Sequence, residues 1–198
     1  MLARSIPDLC LLVAEQDDQS AFGELFQEFY PRLLVLAQAI LKDRQTAEEA
    51  VQDVFMQLWK NRRMLPAVNN LRYYLLVAAK NAALDHLEKL GRRSFMALED
   101  AAIEFGRIEI TPEHVLISAE TMQAIRACIN QLPPRCKLIF RLVKEDGLKY
   151  REVADLLQVS IKTVETQMSL ALNKVSIALE SRLSSDSNDQ RARRKKTS

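Results

Sequence analysis

The stretch YREVADLLQVSIKTVETQMSLALNKV, from Tyr150 to Val175, decides the fold because it contains two short amphipathic helices separated by a break. In the first helix the apolar residues that share one face are Val153, Ala154 and Leu157. In the second helix apolar residues recur at spacings of three and four, namely Ile161, Val164, Met168, Ala171, Leu172 and Val175. The pattern predicts a helix-turn-helix in which the Ser160 hydroxyl accepts from the N–H groups that open the second helix.

Burial of that apolar stripe leaves an outward face on the second helix, which starts at its N-terminal end. This face carries Lys162, Thr163, Thr166, Gln167, Leu170 and Asn173. A helix-turn-helix places such residues against base edges in the major groove of DNA. The pattern therefore favours a DNA-binding face, and two packed helices of an ordinary bundle are the alternative.

Size and composition favour a soluble helical protein. The chain has 198 residues and only four glycines, which favours an all-α fold of one ordinary domain or two small ones. No apolar run approaches the roughly 18 to 20 residues that cross a bilayer, so we expect a cytoplasmic chain without membrane insertion. The three cysteines, Cys10, Cys128 and Cys136, lack metal-ligand spacing, so we expect reduced thiols and no metal site. We also expect no cofactor.

Charge is unevenly distributed along a chain whose formal net charge is only +2. Residues 94–120 contain a single base, Arg107, and six acids, namely Glu99, Asp100, Glu104, Glu109, Glu113 and Glu120. Residues 191–196 contain five bases. We therefore expect a flexible acidic linker at residues 94–111 and a disordered basic tail at residues 183–198. Solvated segments that bind no partner are the alternative for both.

The first half of the chain predicts two helices before the Pro66 break. The first spans residues 21–42 and is bent or divided at Pro31. The second begins at Thr46, where the Thr46 hydroxyl and the Glu49 carboxylate are predicted to form a capping box. Phe55 and Trp59 widen the apolar stripe of this second helix, which leaves open whether they belong to the core or contact a partner.

A third helix is predicted to begin at Leu71 and to end at Gly91. Its outer side combines aromatic, cationic and amide side chains: Arg72, Tyr73, Tyr74, Val77, Lys80 and Asn81. Such a combination suits unpaired bases, because aromatic rings stack on bases at about 1 to 3 kcal/mol each while cations hold phosphates. Together the patterns predict an all-α protein with an N-terminal helical bundle at residues 8–93 and a four-helix domain at residues 112–182, which opens at Thr111-Pro112-Glu113.

Two separated blocks resemble one protein family. The first is AFGELFQEFYPRLLVLAQAILKDRQTAEEAVQDVFMQLWKN followed by NLRYYLLVAAKNAALDHL, and the second is INQLPPRCKLIFRLVKEDGLKYREVADLLQVSIKTVETQMSLALNKV. Together they are similar to bacterial RNA polymerase sigma factors of the extracytoplasmic-function group. The resemblance covers most of residues 8–180, in the family's order.

The resemblance implies that the two domains have different functions. It implies that the first domain binds the polymerase clamp through Glu48, Gln52, Asp53, Gln57 and Trp59. It implies that the same domain opens the −10 promoter element through Arg72, Tyr73, Tyr74, Lys80 and Asn81. It implies that the second domain rests on the polymerase flap and contacts the −35 element through Arg151, Lys162, Thr163, Thr166, Gln167, Leu170 and Lys174. It further implies control by an anti-sigma factor, and an acidic linker that follows nucleic-acid channels of the polymerase.

Two departures from the family pattern bear on the DNA-binding domain. Many relatives have glycine where this turn has Gln158, which predicts a positive φ at a non-glycine residue. The predicted recognition helix also has few cations, so the isolated chain is expected to bind DNA weakly without polymerase.

Three other functions are compatible with parts of the sequence. A stand-alone helix-turn-helix regulator would use the N-terminal domain for sensing or dimerisation, and a helical adaptor would bind polymerase without opening DNA. An enzyme is not expected, because His86 and His114 have no nucleophile, paired carboxylates or glycine loop arranged with them.

Overall fold

The computed structural model describes residues 4–90 and 119–196, and within them all regular secondary structure is helical. Five helical segments come first: α1 (Ile6–Gln16), α2 (Gln19–Leu41), α3 (Arg44–Lys60), a 3-10 helix (Arg62–Ala67) and α4 (Leu71–Lys89). Four helices follow: α5 (Ala119–Asn130), α6 (Pro134–Lys144), α7 (Tyr150–Leu157) and α8 (Ile161–Lys196). The two groups belong to separate compact units, so the predicted all-α fold with two domains is confirmed. The predicted acidic linker and the Thr111-Pro112-Glu113 start lie outside the described residues.

The first unit is built around α4, which packs against both α2 and α3. Its core consists of fully buried aliphatic and aromatic side chains, among them Leu25, Phe29, Leu33, Val51 and Leu75. Helix α1 completes the unit by packing on α2 and on the 3-10 helix. Pro31 lies inside an α2 that the structure leaves undivided.

The capping box predicted at Thr46 is wrong, because α3 begins two residues earlier. The cap is Asp43, whose carboxylate accepts from the Thr46 backbone N–H at 2.8 Å and from the Thr46 hydroxyl at 2.6 Å. A carboxylate at the N-cap satisfies a free N–H group and also favours the positive end of the helix dipole. The Thr46 hydroxyl therefore serves as a second donor to the true cap.

In the second unit α5, α6 and α7 all pack against α8. The core between them is apolar and closely buried, with Ile129, Ile139, Val153, Val164 and Met168 each at most 1% exposed. Helix α8 continues to Lys196, through residues for which composition predicted a disordered tail. Residues 161–196 contain neither glycine nor proline, so nothing in the local sequence terminates the helix.

Among the described residues, no helix combines the length and apolar character that crossing a membrane requires.

The turn between α7 and α8 follows the predicted chemistry. Gln158 caps the end of α7 in the left-handed conformation with φ 53°, and its N–H donates to the Ala154 carbonyl. Ser160 then caps α8, since its hydroxyl oxygen accepts from the Thr163 N–H at 3.0 Å. A left-handed φ costs a residue with a β-carbon about 1 to 2 kcal/mol, and glycine avoids that cost.

We predict that Gln158→Gly raises the free energy of unfolding of the second unit by about 1 kcal/mol. The matched control is Gln123→Gly, in the exposed middle of α5, where the same replacement is expected to cost about 1 kcal/mol. Hydrogen exchange of the α7 and α8 amides measures both changes. Equal destabilisation by the two substitutions would contradict a strained Gln158.

Candidate functional site

The outward side of α8 collects most of the residues predicted to contact DNA. Val164, Met168 and Ala171 are buried against the other helices of the unit, which fixes the rotation of α8. The sides of α8 that are not covered by this packing carry Lys162, Thr163, Thr166, Gln167, Leu170 and Lys174, which we call the recognition face. Of these, Thr163 and Gln167 are partly buried and the others are exposed. Arg151 is exposed on α7, outside this face.

The side chains of the recognition face differ in how far they are held by the protein. The Thr166 hydroxyl donates to the Lys162 carbonyl at 2.8 Å, and the Thr163 hydroxyl lies 2.8 Å from the Ser160 hydroxyl. Leu170 is 52% exposed. An exposed leucine beside polar groups suits contact with a thymine methyl group.

The predicted buried stripe of α8 is wrong at two positions. Ile161 is 44% and Leu172 is 43% exposed. Ile161 is the first residue of the helix, and Leu172 points about 100° away from the buried Ala171. The buried stripe is therefore narrower than the sequence spacing predicted.

Sequence reasoning missed a contact beneath the recognition face. The buried Cys136 thiol of α6 donates to the Gln167 carbonyl at 3.3 Å. Burial raises the pKa of this thiol, and the nearby Lys174 ammonium partly opposes that shift. Only the apolar surroundings of Cys136 in the sequence pointed to burial, and nothing local to it indicated a contact with α8.

In the first unit, a hollow of about 370 Å³ lies between α3 and α4. It brings together two residues predicted to contact DNA, Tyr74 and Asn81, and two predicted to contact polymerase, Asp53 and Gln57. Further along α4 it is lined by Asp85, His86 and Lys89. The volume lies within the range of about 300 to 1,000 Å³ that is typical of small-molecule sites. We call this the α3–α4 hollow.

Contacts at the edge of the α3–α4 hollow hold two of its side chains. His86 Nε2 lies 3.0 Å from Asp53 Oδ2, which links α4 to α3. The Tyr74 hydroxyl lies 3.9 Å from Met64 Sδ, a weak acceptor, and Tyr74 is 36% exposed. The ring is thus accessible.

The other three residues predicted to contact the −10 element lie elsewhere on α4. Arg72 is 3.7 Å from the Glu28 carboxylate of α2 and is mostly buried, so it helps to hold two helices together. Tyr73 and Lys80 are partly buried and lie about 100° around the helix from Tyr74 and Asn81. The five residues therefore do not form one surface.

The residues predicted to bind polymerase also lie on different sides of their helix. Glu48, Gln52 and Trp59 lie within about 40° of one another on α3, whereas Asp53 and Gln57 lie on the opposite side, in the α3–α4 hollow. Gln52 and Trp59 border a second hollow of about 440 Å³, with Phe22, Phe26, Phe55, Met56 and Lys60 as its other lining residues. We call this the aromatic hollow.

The structure shows whether Phe55 and Trp59 belong to the core or to an accessible surface. Phe55 is 3% exposed and its ring lies 4.6 Å from that of Phe26, so it belongs to the core. Trp59 is partly buried, packs edge-on against Phe22 at 5.0 Å, and has the Arg62 guanidinium over its ring at 4.8 Å. Trp59 is therefore both a core residue and part of an accessible apolar surface.

No group of three or more His, Cys, Asp or Glu side chains within the described parts of the chain is arranged to hold a metal ion.

Both units match known protein families. The family described as Sigma-70 region 2 matches residues 25–93, and the one described as Sigma-70, region 4 matches residues 122–175. Together these segments cover more than half of the chain.

Curated relatives are similar over most of their length. The extracytoplasmic-function RNA polymerase sigma factor SigK of Mycolicibacterium vanbaalenii is 28% identical over 167 residues, which are 81% of this chain and 83% of the relative. The RNA polymerase sigma-H factor of Pseudomonas aeruginosa is 25% identical over 173 residues, which are 84% and 90% of the two chains.

Among solved structures, CnrH in complex with the cytosolic domain of CnrY is 18% identical, with a TM-score of 0.46 over 90% of this chain and 99% of that one. The sigma factor RpoE in complex with the anti-sigma factor NepR, from Bartonella quintana, is 19% identical, with a TM-score of 0.44 over 80% and 96%.

With the region 2 and region 4 segments in one chain and full-length relatives of the same kind, this protein belongs to the extracytoplasmic-function group of the sigma-70 family and is a sigma factor for promoter-directed transcription.

Proposed function

We propose that this sigma factor assigns its tasks to separate surfaces: α8 contacts the −35 element, the α3–α4 hollow captures a base of the opened −10 element, and the outer side of α3 binds the polymerase clamp. The observation that carries the proposal is the separation of Tyr74 and Asn81, in the α3–α4 hollow, from the recognition face on another unit. Each surface then meets a different form of DNA, one paired and the other unpaired.

The chemistry of the recognition face supports contact with duplex DNA. Gln167 and the two threonines offer groups that pair with base edges, and Leu170 offers an apolar surface to thymine. Arg151 and Lys174 are exposed and supply the phosphate contacts. Because this helix has few cations, we infer that polymerase, bound at its flap to the second unit, supplies much of the affinity for the promoter.

Features of the α3–α4 hollow support capture of an unpaired base. The exposed Tyr74 ring gives a stacking surface, and the Asn81 and Gln57 amides offer both donors and acceptors. Tyr73 and Lys80, on the adjoining side of α4, supply contacts to the strand outside the hollow. Binding of the flipped base offsets the few kcal/mol that unstacking costs.

Polymerase binding is assigned to the outer side of α3. The aromatic hollow offers an apolar surface there. Gln52 adds a polar group to its lining, and Glu48 lies one turn earlier on the same side of α3. Apolar centres with polar rims are typical of protein interfaces. In this proposal Asp53 and Gln57 serve the α3–α4 hollow instead of the clamp.

We also propose an anti-sigma factor as a regulatory partner, as the membership in the extracytoplasmic-function group leads us to expect. Such a partner would cover the polymerase-binding or DNA-binding surfaces until a signal releases them. Action in the cytoplasm follows from the need to join RNA polymerase. The function requires no catalytic side chain, metal ion or cofactor.

A stand-alone regulator is the second candidate, and the match of residues 25–93 to Sigma-70 region 2 argues against it. The direct test adds the purified chain to core RNA polymerase that lacks a sigma factor. We expect binding to the core enzyme and transcription from a specific start site on a cognate promoter. Tight operator binding by the chain alone, without any effect of core polymerase, would instead support the regulator.

We predict that changing Tyr73→Ala together with Tyr74→Ala spares binding to core polymerase but lowers the rate of promoter opening at least tenfold, because lost stacking costs about 1 to 3 kcal/mol per base. A template whose −10 region is already unpaired is expected to relieve most of the defect. Tyr74→Phe, which keeps the ring, is the matched control and should open duplex promoters nearly normally. Equal defects on paired and unpaired templates would rule out a role in opening.

We predict that Gln167→Ala alters the sequence preference at the −35 element, since a well-placed side chain discriminates between bases by about 1 to 3 kcal/mol. Transcription by the holoenzyme from a library of −35 variants measures the preference. Ser169→Ala is the control, because Ser169 is exposed on α8 about 160° from Gln167. An unchanged preference in the Gln167 variant would remove this residue from the recognition face.

A further inference from the structure

Arg62, the first residue of the 3-10 helix, contacts both the end of α3 and the end of α1. Its guanidinium lies over the Trp59 ring at 4.8 Å, and its Nη1 donates to the Trp59 carbonyl oxygen at 3.0 Å. Its Nε donates to the carboxylate of Asp17, which ends α1. The guanidinium therefore binds both the ring and the backbone of one tryptophan, and it is itself held from another helix.

The backbone fixes the position of Asp17. This residue caps α1 in the left-handed conformation with φ 52°, and its N–H donates to the Leu12 carbonyl. Helix α1 also packs on the 3-10 helix, so the ion pair joins two elements that are already in contact. The hydrogen bond from Arg62 lowers the pKa of the Asp17 carboxyl, which keeps it ionised at neutral pH. The charge of Arg62 is thus balanced within the protein.

These contacts determine how the guanidinium lies against the indole ring. A guanidinium is planar and its donors have fixed directions, so bonds to a carboxylate and to a carbonyl together restrict its orientation. A cation over the face of tryptophan is attracted by the ring quadrupole. The Phe22 ring packs edge-on against the same indole at 5.0 Å. The Trp59 ring is therefore held before any partner binds.

The orientation of Trp59 matters because this ring lines the aromatic hollow. We assigned that hollow to polymerase binding, and the present inference rests on that proposed function. Ordering a side chain during association lowers affinity, whereas a side chain that is already ordered avoids this cost. Arg62 is not among the residues that line the hollow, so it would act through Trp59 and not by contact with polymerase.

We propose that Arg62 is a positioning residue for polymerase binding: anchored by Asp17, it holds the Trp59 ring in the orientation that the aromatic hollow presents to the clamp.

The first test is spectroscopic. Trp59 is the only tryptophan in the sequence, so tryptophan fluorescence of the complete chain reports on this ring alone. Arg62→Met keeps an unbranched side chain but removes the charge and the donors. In the free chain, we expect this change to increase the amplitude of the fast anisotropy decay of Trp59 about twofold, because a released ring moves on the picosecond to nanosecond timescale.

Two further variants make the spectroscopic result specific. Arg63→Met removes the same charge from the next residue, which is exposed, and should leave the anisotropy decay unchanged. Asp17→Asn removes the carboxylate that anchors Arg62, and asparagine tolerates the left-handed conformation of a helix end. We expect it to increase the fast decay as well, by less than Arg62→Met does. This variant tests the proposal even if Arg62→Met does not fold.

A double-mutant cycle then shows whether Arg62 acts through Trp59. Affinity for core RNA polymerase is measured for the wild type, Arg62→Met, Trp59→Ala and the double variant. We expect Arg62→Met to weaken binding about three- to tenfold when Trp59 is present, which corresponds to ordering one side chain. In the Trp59→Ala background the same change should weaken binding by less than about twofold, because no ring remains to be positioned.

An unchanged anisotropy decay in both Arg62→Met and Asp17→Asn would overturn the positioning role. Equal losses of affinity with and without Trp59 would also overturn it, since Arg62 would then act independently of the ring. Failure of the proposed polymerase surface is distinguishable: Trp59→Ala alone would bind core polymerase as tightly as the wild type, whatever the anisotropy of Arg62→Met shows.

Discussion

The packing of α4 against α2 and α3 at once is the constraint on which the first unit depends. Leu75 and Leu76 are almost completely buried in this packing, and the Arg72–Glu28 pair adds a polar link to α2. With one side of α4 fixed, the flank that carries Tyr74, Asn81 and Asp85 must face the edge of α3. The α3–α4 hollow is therefore a consequence of core packing, and its shape does not depend on a mobile loop.

Helix α3 contributes residues to three different surfaces, which explains its broad apolar stripe. One side packs into the core, a second borders the α3–α4 hollow, and a third carries the aromatic hollow beside Trp59. Phe55 belongs to the core, whereas the partly buried Trp59 extends the apolar stripe beyond the core face. In the second unit, by contrast, α8 has one buried side and one recognition face, and the turn at Gln158 and Ser160 sets its start.

Features set by neighbouring residues were predicted well. The Ser160 cap and the polar side of α8 follow from spacing within a few residues, and the positive φ of Gln158 follows from the glycine that many relatives have at this turn. The cap at Thr46 was wrong because the Asp43 carboxylate, three residues earlier, accepts from the Thr46 N–H, which the predicted box had assigned to Glu49. Features set by distant residues were not predicted: the grouping of Asp53 and Gln57 with Tyr74 and Asn81 depends on how α3 packs on α4, and the Cys136 contact depends on α6 meeting α8. Helical periodicity determines faces within one element, but it does not determine which faces of two elements meet.

In the proposed function, polymerase and this chain together open the −10 element while α8 contacts paired DNA upstream. Permanganate reactivity of thymines across a duplex promoter tests this opening, because only unpaired thymines react strongly. We expect reactive thymines confined to the −10 region and the adjoining start site when core polymerase and the chain are both present, with the −35 element unreactive. Unreactive −10 thymines in a holoenzyme that occupies the promoter, or the same reactivity with core polymerase alone, would contradict it.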